Sequence, residues 1–443
     1  MRFELNLSDG AAAEAFRIAE RLKDAGRIAY FAGGCVRDAL MQRAPQDFDI
    51  ATTAHPDEVE KLFPKTIAVG KQFGVILVVE GARAYEVATF RKEGEYQDGR
   101  HPERVSYTDP KEDALRRDFT MNGLFYDPFE KEVRDFVGGL QDIEKKIVRA
   151  IGPPNRRFQE DKLRLLRAIR FASSLDFEIE PDTWKAVGEN ADWIGQVSPE
   201  RIRDELVKIF TRPGAARGLM LLSASGLLRQ ILPEIEAMKE VQQPPEYHPE
   251  GDVFVHTKLL LEKLEQPSAA LAFGALFHDV GKPPTFAIRN GKICFYEHAP
   301  LGAEMTEKIM RRLKFSNEEI HAVHECVANH MKFADVKKMR AGKLRQFVAR
   351  PTFDTELELH KIDCQSSHGM LDNYHFLKEK LREYAEEELK PAPWINGHDL
   401  IAMGMKPGPA MKPLLEELYL LQLEKKILSR EQGLAVAKRK IGN

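Results

Sequence analysis

Cysteine is scarce in this chain, and the few that occur exclude several kinds of protein. The 443 residues include only four cysteines, and no two of them form a CxxC pair. The sequence therefore indicates neither a disulfide framework nor a zinc ribbon. A charge excess of one sign is also missing, because the formal net charge is only −3. A globally basic nucleic-acid coat is excluded, whereas a local basic cleft is not.

Long apolar runs are missing as well. No segment approaches the roughly 20 apolar residues that a membrane-spanning helix needs. The first 16 residues lack the basic and apolar regions of a signal peptide. We therefore expect a cytoplasmic protein with no membrane partner.

The hydrophobic pattern changes from mixed to helical near residue 150. Short apolar runs at 27–32, 74–80 and 84–89 predict strands. From about 156 onward, apolar residues recur at helical spacing. We expect an α+β fold in four parts: a mixed α/β head over 1–150, a helical neck over 151–240, a histidine-rich helical domain over 241–385 and a helical tail over 386–443.

The first candidate site is a glycine pair between a predicted strand and a predicted helix. Gly33 and Gly34 follow the apolar run at 27–32, and Arg37 lies one turn into the helix. Glycine lets the backbone approach a ligand closely, and a helix N-terminus favours an anion such as a triphosphate. Arg37 adds a forked donor for phosphate. A tight turn that binds nothing is the alternative interpretation.

Two aspartates after this helix form the second candidate site. Asp47 and Asp49 are alternate residues, so a strand directs both side chains to one face. Adjacent carboxylates repel unless they share cations, and Mg²⁺ prefers carboxylate oxygens together with substrate phosphates. Paired metals support in-line nucleotidyl transfer. Glu86, on a neighbouring predicted strand, is the candidate third catalytic carboxylate. A solvated strand face is the alternative.

Four motifs, in this order, resemble those of a known enzyme family. They are GGCVRD at 33–38, DFDIAT at 47–52, RRDFTMN at 116–122 and EDKLR at 160–164. The set resembles the nucleotidyltransferases related to DNA polymerase β, and more narrowly the class II tRNA nucleotidyltransferases (CCA-adding enzymes) and bacterial poly(A) polymerases. The resemblance implies a polymerase β-like head that uses Mg²⁺ to add CMP and AMP, from CTP and ATP, to the 3′ end of tRNA. It also implies that Arg117 lies near the triphosphate or the ribose.

A polar stripe in the neck is the candidate reader of the incoming base. Asp161, Arg164, Arg167 and Arg170 recur every third residue in a segment predicted to be helical over 158–175. Steps of three turn a helix back by about 60°, so the first three are expected to share one broad face. An Asp acceptor beside an Arg donor complements the edges of C and A but not those of U and G. The resemblance implies that Arg167 and Arg170 also contact the nucleotide, and an exposed salt bridge is the alternative.

Histidines and aspartates in the second half form the third candidate site. His256, the adjacent pair His278 and Asp279, and the distant Asp363 resemble the ligand set of the HD phosphohydrolase superfamily. Two further histidines, His298 and His330, are candidates for a second metal position. Such ligands suit a divalent transition metal or Mg²⁺. A second His-Asp dipeptide at 398–399 has no suitable partners and predicts a helix N-cap instead.

Three other functions fit the same residues. The chain could add only the terminal A, or it could be a poly(A) polymerase. It could also be an HD metal phosphohydrolase whose head only binds RNA. The polar segment at 91–102 resembles the family's flexible loop, and a plain solvent loop is equally compatible with it. The oligomeric state stays open.

Overall fold

The computed structural model of this chain describes residues 1–7, 10–45, 47–93, 105–246, 248–249, 251–385 and 389–441. Most of the predicted flexible loop, from residue 94 onward, lies outside the described residues. The chain divides into two compact units, Met1–Pro233 and Glu234–Asn443. Among the described helices, none has both the length and the apolar character for crossing a bilayer.

The first unit contains the strands expected of a mixed α/β head. In chain order they are β1 (Ala29–Ala32), β2 (Asp49–Thr52), β3 (Thr66–Gly70), β4 (Val75–Glu80), β5 (Arg83–Thr89), β6 (Arg91–Glu93), β7 (Val105–Tyr107), β8 (Leu124–Asp127), β9 (Glu132–Asp135), β10 (Ile147–Val148) and β11 (Glu178–Ile179). Seven of them form one sheet in the order β3-β4-β5-β2-β1-β8-β9. Because β2 pairs with β5 in parallel and with β1 antiparallel, the sheet is mixed.

Helices cover this sheet and continue into the rest of the first unit. They are α1 (Gly10–Asp24), α2 (Gly34–Leu40), α3 (Pro56–Leu62), α4 (Pro110–Leu115), α5 (Gly139–Glu144), α6 (Pro154–Glu160), α7 (Arg164–Leu175), α8 (Pro181–Glu189), α9 (Pro199–Phe210), α10 (Ala215–Ala224) and α11 (Leu227–Ile231). The short helix α12 (Pro233–Glu236) begins at the last residue of this unit and continues into the second. Short 3₁₀ turns occur at Lys71–Phe73, Thr120–Asn122 and Ala191–Gln196. The main core of the head packs α1 against inward residues of the sheet such as Phe31, Ile50 and Val87.

The second unit is almost entirely helical. Its helices are α13 (Val253–Glu262), α14 (Ala269–Phe277), α15 (Lys282–Thr285), α16 (His298–Arg312), α17 (Asn317–Asn329), α18 (Ala341–Val348), α19 (Phe353–Ser366), α20 (Asp372–Ala385), α21 (Gly397–Ala402), α22 (Met411–Leu423) and α23 (Arg430–Ile441). A hairpin of β12 (Phe286–Arg289) and β13 (Lys292–Phe295) interrupts them, and a 3₁₀ helix spans His330–Lys338. The expected α+β class is confirmed, while the four-part division stays a prediction.

One sequence expectation about the neck is wrong. A single helix was expected over 158–175, but α6 ends at Glu160 and α7 begins at Arg164. Asp161 between them has an extended backbone, with φ −141° and ψ 107°. Its carboxylate accepts a hydrogen bond from the Leu163 backbone N–H at 3.1 Å, which stabilises the break. The step-of-three argument therefore does not place Asp161 on the face of α7.

Candidate active sites

Three carboxylates meet on one face of the head sheet. Asp47 and Asp49 are exposed while the residue between them is buried, as strand alternation requires. The parallel register of β2 and β5 pairs Ile50 with Val87, so it brings Asp49 beside Glu86. Glu86 is exposed as well. The sheet thus assembles the three carboxylates that the sequence singled out.

Arg117 offsets the repulsion among these carboxylates only in part. Within the described part of the chain, no lysine or arginine forms an ion pair with Asp47, Asp49 or Glu86. Partial removal from water and the charges of Glu86 and Asp47 raise the pKa of Asp49 to about 6, although Arg117 opposes the shift. Two neighbouring aspartates with an excess of negative charge, and a third carboxylate on the adjacent strand, fit a divalent cation such as Mg²⁺.

The glycine pair forms the turn between β1 and α2, next to this face. Gly33 has φ +69°, a value that side chains other than glycine rarely adopt. A Cβ at Gly33 would lie 3.1 Å from Nη1 of Arg117. Because Gly33 has no side chain, the guanidinium group of Arg117 can pack directly against the backbone of the turn. Arg117 is held by Asp113, whose Oδ2 accepts from Nη2 at 3.1 Å.

Asn122 connects the arginines around this turn. Its Oδ1 accepts from Nη1 of Arg37 at 2.7 Å, and its backbone carbonyl accepts from Arg117 at 3.3 Å. Its Nδ2 donates to Asp118 at 3.0 Å, and the other oxygen of Asp118 accepts from Nε of Arg167 at 2.7 Å. The sequence reasoning missed Asn122. Its place at the end of the RRDFTMN motif was the available signal.

The two candidate base readers are each held by another residue rather than by one another. Oδ2 of Asp161 accepts from Nη2 of Arg201 at 2.9 Å. Arg164 is buried, and its Nη1 donates to Glu160 at 3.0 Å. Its Nη2 donates to the Arg116 backbone carbonyl at 3.0 Å. This last hydrogen bond connects Arg164 to the RRDFTMN motif of the head, which begins at Arg116.

Arg170 lies in a different environment. It is buried, and its Nη1 donates to Oε1 of Glu205 at 3.0 Å. Burial and the charge of Arg167 lower the pKa of Arg170 to about 10, against the attraction of Glu205. Arg37, Arg167 and Arg170 all lie over the ring of Phe171, at 5.1, 5.3 and 4.2 Å. The ring and the acidic partners hold this group of cations together.

The second unit brings its candidate metal ligands together around Asp279. His256, His278 and Asp279 form one group of possible ligands, and Asp279, His298 and His330 form another. Within each group the ligand atoms lie within 4.8 Å of one another. Asp363 joins the first group, because its Oδ1 lies 3.0 Å from Nε2 of His256. All six predicted residues therefore contribute to one centre, which we call the HD centre.

Backbone carbonyls orient three of its histidines. Nδ1 of His278 lies 2.9 Å from the Ala275 carbonyl, Nδ1 of His298 lies 2.8 Å from that of Phe295, and Nδ1 of His330 lies 2.7 Å from that of Val327. A hydrogen bond of this kind places the proton on Nδ1 and leaves Nε2 as an acceptor. The Nε2 atoms of all three are therefore available as ligands.

Acceptor atoms then face one another across the centre. Nε2 of His298 and Nε2 of His330 are 3.1 Å apart. Nε2 of His278 lies 3.1 Å from Oδ2 of Asp279 without hydrogen-bond geometry. Lone pairs that point at each other over such distances repel unless a cation lies between them. This donor set fits divalent metal ions on both sides of Asp279.

The charges in the HD centre keep its ligands in their metal-binding forms. Burial alone would raise the pKa of Asp279, but without a metal ion a protonated His278 and Lys282 hold it well below the usual value. Burial lowers the pKa of His330 to about 3. A carboxylate that stays ionised and an imidazole that stays neutral are the forms that bind metals.

Two residues of this centre escaped the sequence reasoning. Lys282 is buried, and its Nζ lies 2.6 Å from Oδ2 of Asp279. Its position three residues after Asp279 on a short helix was the available signal. Gly281 lets α15 approach α16, because a Cβ there would lie 2.1 Å from the His298 carbonyl. The absence of a side chain thus brings Asp279 and His298 together.

The second His-Asp dipeptide does not belong to a metal site. It lies in the first turn of α21, whose N-cap is Asn396. Oδ2 of Asp399 accepts from the Asn396 backbone N–H at 3.0 Å and completes a capping box. The prediction that the dipeptide is the N-cap is wrong by two residues, because Asn396 is the N-cap and Asp399 completes the capping box from the first turn.

Comparison with known families matches three segments of the chain. Residues 29–149 match the family described as "Poly A polymerase head domain". Residues 176–239 match "Probable RNA and SrmB- binding site of polymerase A", and residues 251–365 match the HD domain. Fold and matches together define a nucleotidyltransferase of the poly(A) polymerase type that also carries an HD domain.

Comparison with individual proteins identifies the family within this class of nucleotidyltransferases. The chain is 42% identical over 412 residues to the CCA-adding enzyme of Streptococcus gordonii, covering 91% of each chain. It is 45% identical over 215 residues to the CCA-adding enzyme of Geobacillus stearothermophilus, where the match covers 48% of this chain and 53%, about half, of that enzyme. The crystal structure of Bacillus stearothermophilus CCA-adding enzyme in complex with CTP superposes with a TM-score of 0.76, 27% identity and 98% coverage of both chains. The chain belongs to the family of CCA-adding enzymes.

Proposed function

We propose that this protein adds CMP and AMP to the 3′ end of tRNA and so builds the terminal CCA sequence. The observation that carries the proposal is the face formed by Asp47, Asp49 and Glu86, whose negative charge Arg117 offsets only in part. CTP, ATP and tRNA are the proposed partners. Because tRNA is its substrate, we place the protein in the cytoplasm.

In the proposed reaction the 3′-hydroxyl of tRNA attacks the α-phosphate of CTP or ATP, and pyrophosphate leaves. Asp47 and Asp49, with Glu86 beside them, would hold Mg²⁺, which supplies charge neutralisation at the phosphates and a lower pKa for the attacking hydroxyl. No protein nucleophile takes part. Gly33 and Gly34 let the backbone approach the triphosphate.

The arginines of the head and neck bind the nucleotide in this proposal. Arg37 and Arg117 are directed to the triphosphate and ribose, where bonds to Asn122 keep both guanidinium groups oriented. Arg167 extends the same positive surface, and Arg170, which is buried against Glu205, is the further candidate for a nucleotide contact. Guanidinium groups that are already held by acidic or amide partners lose little entropy when a phosphate binds.

Base selection is assigned to Asp161 and Arg164. An acceptor and a forked donor complement the amino group and ring nitrogen of C and A, whereas U and G present the opposite pattern. Arg201 holds the first side chain and Glu160 the second, so both are oriented before the nucleotide arrives. The protein itself then serves as the template.

The HD centre supports a second activity, phosphoester hydrolysis. The facing acceptor atoms around Asp279 favour this function, because they call for divalent ions between them. His256, His278, Asp279 and Asp363 would hold one ion, and Asp279, His298 and His330 the other. Imidazole and carboxylate ligands suit Mn²⁺, Fe²⁺, Ni²⁺ or Mg²⁺.

The test supplies purified protein with tRNA that lacks all three terminal nucleotides, with CTP and ATP separately and together. We expect two C additions with CTP alone and a complete CCA end with both nucleotides. An enzyme that adds only A would extend tRNA ending in CC and nothing shorter, and a poly(A) polymerase would extend unrelated RNA with ATP. Either result contradicts the proposal.

The Asp47→Ala/Asp49→Ala variant is the matched control. It should fold and lose incorporation of both nucleotides. Incorporation that survives this double change would leave the head as an RNA-binding domain only.

A further inference from the structure

A buried glutamine is hydrogen bonded to the lysine of the HD centre. Gln243 precedes α13 and is only 3% exposed. Its Oε1 accepts a hydrogen bond from Nζ of Lys282 at 2.5 Å. The same Nζ lies 2.6 Å from Oδ2 of Asp279, the residue shared by both groups of candidate metal ligands. The ammonium group of Lys282 is therefore in contact with both the glutamine and the central carboxylate of the site.

The two contacts of this ammonium group differ in kind. The contact with Gln243 satisfies the geometry of a hydrogen bond, whereas Oδ2 of Asp279 has no hydrogen-bond partner among the described residues. Lys282 thus attracts this oxygen by charge without occupying a lone pair. Oδ2 is also the oxygen that lies 3.1 Å from Nε2 of His278. The atom that remains open is therefore one that a metal ion bound to His278 would use.

Contacts with the start of α13 fix the segment that carries Gln243. Oδ2 of Asp252, the N-cap residue of α13, accepts a hydrogen bond from the Glu240 backbone N–H at 2.9 Å. Gln242 forms an antiparallel bridge with Asp252. The same helix carries His256, another candidate ligand. The position of the glutamine is therefore set by an element of the HD centre itself.

The second polar group of the glutamine has no structural use. Nε2 of Gln243 is buried and lacks a hydrogen-bond partner among the residues that the structure describes. A buried amide with an unpaired donor costs stability, so an apolar side chain would serve the fold better at this position. What the amide provides is the acceptor for Lys282.

We propose that Gln243 is a positioning residue, which holds Lys282 beside Asp279 in such a way that the carboxylate stays open to a metal ion. This inference rests on the metal ions proposed for the HD centre. An ammonium group and a metal ion compete for one carboxylate oxygen, because both are stabilised by its negative charge. A second acceptor stabilises the ammonium group while the carboxylate binds the metal. Loss of such a partner weakens metal binding by about 10- to 100-fold.

The test measures binding of the metal alone and does not depend on catalysis. The full chain carries Asp47→Ala/Asp49→Ala, which removes ligands of the head, and this parent chain is titrated by calorimetry with Mn²⁺ and then with Ni²⁺. Gln243→Met has a similar length but no amide acceptor, and it should raise the dissociation constant at least about tenfold. Gln243→Asn, whose side chain is one methylene shorter, should show the same loss.

The lysine shows whether this loss comes from positioning. Lys282→Met removes the competing cation and should bind the ions at least as tightly as the parent chain. Adding Gln243→Met to Lys282→Met should then change nothing further, because no ammonium group remains to be held. A role of the glutamine in the fold alone would persist without the lysine. Gln243→Glu retains an acceptor and should retain the affinity of the parent chain.

Gln422→Met is the matched control for the loss of a buried amide. Gln422 is 9% exposed, and both polar groups of its side chain are hydrogen bonded to the backbone of the helical tail. Its replacement should leave the affinity for both ions unchanged. Circular dichroism shows which variants are folded, and if either Gln243→Met or Gln243→Asn does not fold, the other carries the comparison.

Two sets of outcomes separate this role from the metal centre. Equal affinities of Gln243→Met and the parent chain, or an equal loss with and without Lys282, would overturn the role of Gln243 and leave the metal centre standing. A parent chain that binds neither ion would overturn both proposals. So would binding that is unchanged by His278→Ala/Asp279→Ala.

Discussion

Asp49 carries an electrostatic cost in the metal-free protein, and this cost depends on pH. Its pKa is about 6 in the folded chain against an ordinary value of 3.8. Above pH 6 the carboxylate is ionised and repelled by Glu86 and Asp47, and below about pH 4 it is protonated in both states. Partial removal from water, together with this repulsion, therefore lowers stability at neutral pH, and the cost disappears as the pH falls through this window.

Asp49→Asn should accordingly raise the Tm of the protein in EDTA at about pH 7.5, and the difference from wild type should close by about pH 4. Thermal unfolding followed by circular dichroism measures the Tm of wild type and variant at each pH. Adding Mg²⁺ at neutral pH should raise the Tm of the wild type and leave that of the variant unchanged. A variant less stable than wild type in EDTA at neutral pH would contradict unrelieved repulsion at this site.

Arg170 is expected to matter for stability at least as much as for nucleotide binding. The side chains of Arg170 and Glu205 are only 7% and 3% exposed, and they pair at 3.0 Å. Arg170→Met leaves the buried Glu205 carboxylate with Lys208 alone, at 3.4 Å, and should cost about 3 kcal/mol, the low end of the range for breaking a buried ion pair. Urea unfolding measures the loss.

The double variant Arg170→Met/Glu205→Leu removes both charges and should recover much of that stability. CTP binding by the recovered protein then separates the two roles of the arginine. Normal binding would remove Arg170 from the nucleotide contacts, and weakened binding in a stable protein would retain it.

At the scale of elements, the turn from β1 into α2 depends on Gly33. Gly33→Ala introduces strain at φ +69° and places a Cβ 3.1 Å from Arg117. For a residue with a side chain, the positive φ with ψ −122° alone costs about 1–3 kcal/mol. Displacement of the arginine should in addition raise KM for CTP, measured in steady-state incorporation.

Gly152→Ala is the matched control for this turn. Gly152 has a similar φ of +77°, but a Cβ there meets nothing within 4 Å. The Gly152→Ala variant should lose a comparable amount of stability and keep the wild-type KM for CTP. Equal KM values in the two variants would mean that the contact between the turn and Arg117 has no part in nucleotide binding.

The break between α6 and α7 shows where local pattern stopped being sufficient. The apolar spacing over 158–175 is compatible with one continuous helix. Two distant groups decide otherwise, because Arg201 on α9 binds Asp161 and the Arg116 carbonyl binds Arg164. Arg201 and Arg116 both lie outside residues 158–175, so the residue pattern of that segment gives no sign of these contacts.

At the scale of the whole molecule, the two centres should be separable by mutation. His278→Ala/Asp279→Ala should remove phosphoester hydrolysis and spare CMP and AMP incorporation. Asp47→Ala/Asp49→Ala should do the reverse. The two sets of residues belong to different compact units, which is the reason to expect independence.

Parallel assays of incorporation on tRNA lacking CCA and of hydrolysis of a cyclic phosphate check this expectation. Circular dichroism shows whether the second unit stays folded after its buried ligands are replaced. A folded His278→Ala/Asp279→Ala protein that fails to incorporate CMP would show that the two centres act on one reaction.

The sequence alone determined those features whose partners lie close together along the chain. Asp47 and Asp49 share a face because a strand has a period of two residues, and the glycine pair follows directly from the strand before it. The HD centre, whose ligands are spread over more than a hundred residues, was recognisable only because the set resembles that of the HD phosphohydrolase superfamily. Only the tertiary structure decided which groups hold these residues. His256 and Asp363 are 107 residues apart, and Asp161 and Arg201 are 40 apart. Contacts over such separations depend on how helices pack, which a local pattern does not encode.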